Sequence, residues 1–273
     1  MKFSPDQWAV ILGGSSGFGL ATAKKLAGCG MSVAVVHRDR QGAMTGIEPQ
    51  FAAIRAAGAE LLTFNTDALS TAGRAAVIDG VAARMGDPGR VRLLLHSIAF
   101  GNLRLLAPPP ATGGQPEGDA PAVLEEEDFA HTIHAMGTNI VSWAQSLLAR
   151  RLFAADARVL GLTSEGNEIA WRGYAAVAAA KAALESVTRA MAVEFAPHGV
   201  RANVVQAGIA DTPALRLIPG NAGLKSDALR RNPFGRLTTP EDVADAIALL
   251  CTDEARWING TIVRVDGGEH IGS

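Results

Sequence analysis

Apolar residues come in short continuous blocks, separated by glycine-rich breaks and by longer stretches in which apolar positions recur every three or four residues. The short blocks, Trp8 to Leu12, Ser32 to Val36, Glu60 to Phe64, Val91 to Leu95, Arg158 to Leu162, Val200 to Val205 and Thr261 to Val265, predict seven strands. Helical patterns fall between them at Leu20 to Ala27, Phe51 to Ala57, and near 71–85, 126–151, 174–196 and 240–252. Gly28, Gly30 and Gly58 close the first two helices, and the acidic run Glu125-Glu126-Glu127-Asp128 opens the one near 126 and complements its dipole. Strands alternating with helices predict an α/β fold, a doubly wound parallel sheet of about seven strands flanked by helices, in a single domain over 1–273. The stretch 106–121, rich in Pro, Gly and Ala and without periodicity, reads as a loop insertion.

Composition narrows the partners. Hydrophobic residues make up 48% of the 273, charged residues 19%, and the formal net charge is −2, a balance that speaks for a small-molecule partner and against nucleic acid. Two cysteines, Cys29 and Cys251, are too few for a disulfide framework and read as buried thiols in a reducing cytoplasm. The first residues lack the apolar core of a signal peptide, and no apolar run reaches the roughly 18 residues of a membrane span, so the expectation is a soluble protein.

The first strand runs into Gly13-Gly14-Ser15-Ser16-Gly17-Phe18-Gly19 and then into a helix. Glycines there let the backbone approach a pyrophosphate at a helix N-terminus, which predicts a Rossmann-type dinucleotide site. At the end of the second strand stand His37 and Arg38 where an NAD site would carry an acid; the cations favour NADP(H), and Asp39 one place later leaves NAD(H) open. Asp67, in Asn65-Thr66-Asp67-Ala68, would accept from the adenine amino group or serve only as a turn residue. His96-Ser97-Ile98-Ala99 follows the fourth strand, where small residues suit a backbone passing beneath the cofactor. Asn139 is a poor interior helix residue, and Ser164 ends the fifth strand at the sheet edge where ligands bind. Tyr174 is the only tyrosine and lies seven positions before Lys181. Seven steps of about 100° fall about 20° short of two turns, so both side chains share one helix face. With Ser164 they form a set able to polarise a carbonyl. His131 and His134, three apart, lack further ligands and read as a surface face; no metal site is expected.

Together these motifs, with the turn Ala207-Gly208-Ile209-Ala210-Asp211-Thr212 and Val265-Asp266-Gly267-Gly268, resemble the short-chain dehydrogenase/reductase family over nearly the whole chain. Most relatives carry the active tyrosine four residues before the lysine, where this chain has Val177. The longer gap, His96-Ser97-Ile98 and the segment from Asp211 to Gly268 resemble the NADPH-dependent enoyl-acyl-carrier-protein reductases, a divergent branch, whereas Asn139 and Ser164 match the ordinary dehydrogenases. The resemblance implies catalytic roles for Tyr174, Lys181, Ser164 and Asn139. Tyr174 would stabilise an enolate, Lys181 would anchor the nicotinamide ribose and favour the phenolate by its charge, Ser164 would position substrate and Asn139 would hold a water. Cofactor contacts would come from Gly13, Ser15, Ser16, Gly17, Phe18, Gly19, His37, Arg38, Asp67, Ala68, Ser97, Ile98, Lys181, Gly208, Ile209 and Thr212, with Ile209 and Thr212 at the carboxamide. Residues 213–232 would form a mobile substrate lid. The implied substrate is an acyl thioester, on acyl carrier protein or coenzyme A, and the implied assembly a homotetramer. Two other readings stand beside it: a carbonyl reductase or alcohol dehydrogenase, and an inert NADP(H)-binding sensor or scaffold.

Overall fold

A computed structural model describes residues 1–85, 90–109 and 122–273. The chain alternates strand and helix in the order β1 (Trp8–Leu12), α1 (Gly17–Gly28), β2 (Ser32–His37), α2 (Gln41–Ala56), β3 (Leu61–Asn65), α3 (Thr71–Met85), β4 (Val91–His96), α4 (Glu126–Ile133), α5 (Asn139–Ala149), β5 (Phe153–Thr163), α6 (Ala175–Glu194), β6 (Val200–Ala207), α7 (Pro213–Arg216), α8 (Asn221–Arg231), α9 (Pro240–Leu250) and β7 (Ile262–Val265). All seven strands are parallel, in the order β3-β2-β1-β4-β5-β6-β7. This is a Rossmann-type sheet, and the strand order reverses at β1 and β4. In register Leu12 lies beside both Val36 and His96, so the turns after β1 and β4 open side by side at the carboxyl edge, where such sheets bind ligands.

Alternate residues of the strands feed two separate cores, as side chains on a strand must. Val10, Val36, Leu94 and Val159 pack with Val77, Trp143 and Leu184 on one face. Ile11, Val35, Leu95 and Leu160 pack with Leu26, Phe51 and Ile247 on the other. At the opposite edge from the ligand side, the buried guanidinium groups of Arg92 and Arg158 donate to Cys251 and Leu250 carbonyls, both at 2.8 Å, satisfying the last turn of α9. Asp156 bonds Arg92, Arg158 and Arg201. Burial alone would raise its carboxyl, but those three cations hold it below the usual carboxylate range.

The observed elements depart from the sequence pattern in identifiable places. The expected helix 51–57 begins ten residues earlier, at Gln41, because an exposed, solvated first half tolerates Gly42, Gly46 and Pro49 while Phe51 and Ile54 anchor the second. The expected continuous helix 126–151 is interrupted by a π-turn at His134–Thr138. Gly137 makes that turn sit close on α6: a Cβ there would lie 2.8 Å from the Ala180 carbonyl oxygen. The acidic start of α4 is a capping box between Glu125 and Asp128. Cys251 is buried, whereas Cys29 is only half-buried. Of the expected insertion 106–121, residues 110–121 lie outside the described residues; its ends meet in a bridge between Leu105 and Val123. Residues 213–232 contain α7 and α8. Among the described residues no helix is long and apolar enough to cross a membrane, and no group of His, Cys, Asp and Glu is arranged to hold a metal.

Candidate active site

The turn between β1 and α1 is built by backbone contact. A Cβ on Gly13 (φ +81) would lie 2.5 Å from the Ser97 carbonyl oxygen, and one on Gly19 would lie 2.2 Å from that of Gly13. These two glycines weld the turn to the backbone after β4 and to the start of α1. Gly17 (φ +52) differs: its nearest neighbour would be Thr212 at 3.7 Å, which leaves room above the helix start. Ser16 caps α1 without a side-chain bond, and the first turn carries no acid. Its N–H groups, with Ser15, Ser16 and Phe18 around them, thus suit a pyrophosphate. Ser97 N–H donates to Leu12 C=O at 2.9 Å, so Ser97 and Ile98 flank the same turn.

At the ribose end the structure gives His37 and Arg38 different settings. His37 is buried edge-on against Phe51, with Nδ1 2.8 Å from Asp39 Oδ2. It packs and positions rather than offering an open charge. Arg38 is half-exposed, 4.8 Å above the Phe100 ring and 3.6 Å from Asp67 Oδ2. Asp67 Oδ1 accepts from the Leu69 N–H at 2.9 Å, so the turn role is real and one oxygen remains beside Arg38. The neighbouring Ala68 carbonyl accepts from the buried Trp143 indole at 2.9 Å, which fixes this corner to the core.

Ser164 Oγ and Tyr174 Oη lie 3.3 Å apart at the sheet edge. Tyr174 is the N-cap of α6 (φ −109), and its carbonyl already accepts from Ala178 N–H at 2.8 Å. The ladder therefore runs from Tyr174 to Lys181 without a break. Small side chains at 175, 176, 178, 179 and 180 let this end of α6 approach the π-turn and the sheet. Lys181 is buried, and its Nζ donates to Leu162 C=O at 2.7 Å. Burial drives its pKa down to about 8 against the opposing charge of Glu185. Tyr174 is pushed up by burial, and the Ser164 contact is the one influence that lowers it. Lys181 is not among the influences on the phenol, and burial keeps Tyr174 a protonated donor near neutrality. Asn139, directly after the π-turn, is buried with neither amide atom bonded to protein, which fits a water-holding role. His96 is also buried, its Nε2 unpartnered and its pKa lowered to about 3 by burial and the Lys181 charge, so it is neutral.

The turn after β6 completes the site. Thr212 caps α7 by accepting from Leu215 N–H at 3.2 Å, and Gly208 sits where a Cβ would strike Thr238 Oγ1 at 2.4 Å. Ile209 N–H is already donated to the Glu269 carboxylate at 3.2 Å. That partner, and Glu165 and Arg231 beside it, escaped the sequence reading, as did Trp171, whose ring lies edge-on to Tyr174 at 5.1 Å. Only the adjacency of Glu165 to Ser164 offered a signal.

The fit of a dinucleotide to the glycine turn, and of a carbonyl group to the two hydroxyls, agrees with the proteins this chain is similar to. The profile of the family described as Enoyl-(Acyl carrier protein) reductase matches residues 13–270. The chain is 32% identical to cis-4-hydroxycyclohexanecarboxylate dehydrogenase of Sinomonas cyclohexanicum, over 96% of both chains. It is 30% identical to 1-cyclohexenylcarbonyl-CoA reductase of Streptomyces collinus, over 97% of this chain and 87% of that one. The 3-ketoacyl-(acyl-carrier-protein) reductase of Brucella melitensis, solved with NADH, superposes with a TM-score of 0.77 at 26% identity, over 96% of this chain and 98% of that one. The protein belongs to the short-chain dehydrogenase/reductase family, in the part related to enoyl-acyl-carrier-protein reductases, and is an oxidoreductase that uses a nicotinamide cofactor.

The lysine adds a pH signature. Raising the pH from 7 to 9 removes the Lys181 charge across its value of about 8, and nucleotide affinity of the free enzyme should weaken by up to about tenfold. Stability moves oppositely: the unfolded lysine keeps its proton up to 10.5, so this group favours folding as pH rises from about 8. Fluorescence titrations of the parent and of Lys181→Met check it; the variant should bind weakly with a flat profile, and a flat parent profile would remove the lysine from nucleotide binding.

Proposed function

We propose that this protein uses NADPH to reduce the C2–C3 double bond of an α,β-unsaturated acyl thioester. The observation that carries the reading is the placement of the phenol: Tyr174 caps α6 seven residues before Lys181, and buried, apolar Val177 occupies the position four before it. Three residues along a continuous helix shift the Cα by about 4.5 Å. In ketone reduction the acid serves an oxygen on the atom that receives hydride. In conjugate reduction the charge develops on an oxygen two carbons further on, so the donor belongs farther from the nicotinamide.

A bound dinucleotide would supply the hydride for C3. Tyr174, a protonated phenol held by Trp171 and Ser164, donates to the thioester oxygen as the π-electron pair moves there, an oxyanion-type contribution of about 3 kcal/mol. The electron pair then returns to form a C–H bond at C2 with a proton from solvent. Lys181 holds ribose hydroxyls, and Asn139 holds a water on the path to solvent. Residues 213–232 close over the acyl group. NADPH is favoured over NADH because Arg38, half-exposed and paired with Asp67 only at 3.6 Å, can meet a 2′-phosphate, while Asp39 is engaged by His37. Acyl carrier protein or coenzyme A as the thiol, and a homotetramer paired through α4, α5 and α6, belong to the same proposal. The similarity to 1-cyclohexenylcarbonyl-CoA reductase supports it.

One observation favours a second reading. Two hydroxyls 3.3 Å apart can share a single carbonyl oxygen, as a ketone reductase requires, and a relative named as a dehydrogenase of a ring alcohol agrees with this. Steady-state assays with crotonyl and acetoacetyl thioesters separate the two. NADPH oxidation with crotonyl thioester is expected, and oxidation with the keto compound alone would replace the first reading by the second.

A further inference from the structure

Arg231, the last residue of α8, lies 66 residues from Glu165 and 38 from Glu269, yet its guanidinium joins both. Nη1 donates to Glu165 Oε2 at 3.2 Å, Nη2 to Glu165 Oε1, and Nη2 to Glu269 Oε1 at 3.4 Å. Nη1 also reaches the Glu269 carbonyl at 3.4 Å. The side chains are 18%, 9% and 2% exposed for Arg231, Glu165 and Glu269, so the cluster is largely buried. Each glutamate is also tied to the active site, Glu165 through the chain and Glu269 through its carboxylate. Glu165 directly follows Ser164, and the next residue, Gly166, lies against Tyr174: a Cβ there would meet the phenol ring at 2.5 Å. Glu269 accepts from the Ile209 N–H at 3.2 Å. The C-terminal turn is pressed on the same spot, since a Cβ on Gly272 would lie 1.8 Å from the Arg231 carbonyl oxygen.

From this arrangement we infer that Arg231 is a positioning residue: it latches the end of α8 to Glu165 and Glu269 and so sets the placement of Ser164 and of the turn at Ile209. Removing one member of a buried ion cluster leaves the others uncompensated, so the segments that carry them move apart. Both terminal nitrogens of the guanidinium are engaged by Glu165 and Glu269, in three bonds to carboxylate oxygens and one to the Glu269 carbonyl. The latch rests on the location of the site, and it holds whichever double bond is reduced.

The test is a double-mutant cycle between Arg231→Met and Ser164→Ala in the full-length enzyme, read in kcat with whichever thioester is turned over, together with amide hydrogen exchange. Arg231→Met is expected to lower kcat at least tenfold in the parent and less than threefold in the Ser164→Ala background. Exchange should quicken at 165–168 and 209–212 as well as in α8, with β1 and β4 unchanged, and Arg231→Lys should recover part of the loss. Equal losses in both backgrounds, or quickened exchange confined to α8, would overturn the latch. If Arg231→Met does not fold, Glu165→Gln keeps the shape of the contact and is expected to show the same dependence on Ser164 with a three- to fivefold loss; additive losses again overturn it. Failure of the enoyl reading changes only the substrate used, not the cycle.

Discussion

Tyr174→Phe is expected to lower kcat by about 10²- to 10³-fold while nucleotide affinity and melting temperature stay close to those of the parent. The substitution removes one oxygen and keeps the ring, so the edge-on contact with Trp171 and the packing against Ala135, Met136 and Val177 survive. What disappears is the donor that meets developing charge on the substrate oxygen. Its partner Ser164 remains within the site but sits on a different element, at the end of β5. The phenol is held protonated by burial, so activity that depends on it should be flat near neutrality and show no phenolate limb there. Initial rates at saturating NADPH, with a parallel nucleotide titration, measure the effect. A variant as fast as the parent would take Tyr174 out of the chemistry, and a parent with tight nucleotide binding but no turnover on any thioester or ketone would leave the sensor reading standing.

Much of this arrangement was legible in the residue pattern, and the reasons are physical. Continuous apolar blocks mark strands covered on both faces, and the seven blocks map onto β1 to β7 with shifts of a residue or two except at β5, which starts five residues earlier at Phe153. The glycine turn was legible because backbone-to-backbone contact admits no Cβ. Other features depend on contacts that periodicity does not carry. The π-turn before Asn139 has no composition of its own beyond Gly137, yet a buried, unpartnered amide directly follows it. The residue pattern shortens α2 because Gly42, Gly46 and Pro49 are breakers locally, although solvated carbonyls tolerate them. The protonation of Tyr174 depends on burial and on which neighbour its hydroxyl meets. The Arg231 latch joins residues remote in sequence, and a charged side chain seen alone reads as surface.

Gly19→Ala is the second change with a large expected effect, a loss of at least tenfold in nucleotide affinity. The added Cβ would lie 2.2 Å from the Gly13 carbonyl oxygen and 3.1 Å from Gly14 Cα. These are backbone atoms, so no rotamer change relieves the overlap; the turn or the start of α1 must move. Gly13 is itself packed on the Ser97 carbonyl, so displacement passes to the loop after β4 that flanks the same crevice. Overpacking of this kind costs about 1–3 kcal/mol, and 1.4 kcal/mol of it spent against the bound geometry is already tenfold in Kd. A control separates this from a general intolerance of added methyl groups. Gly46 lies in the exposed half of α2 with nothing within 4 Å of an added Cβ, so Gly46→Ala should stabilise the protein by roughly 0.5–1 kcal/mol and leave affinity unchanged. Fluorescence titration with NADPH and thermal melts of both variants check the pair. Parental affinity in Gly19→Ala would mean that the turn yields without disturbing the phosphate site, and the assignment of that site to the start of α1 would fall with it.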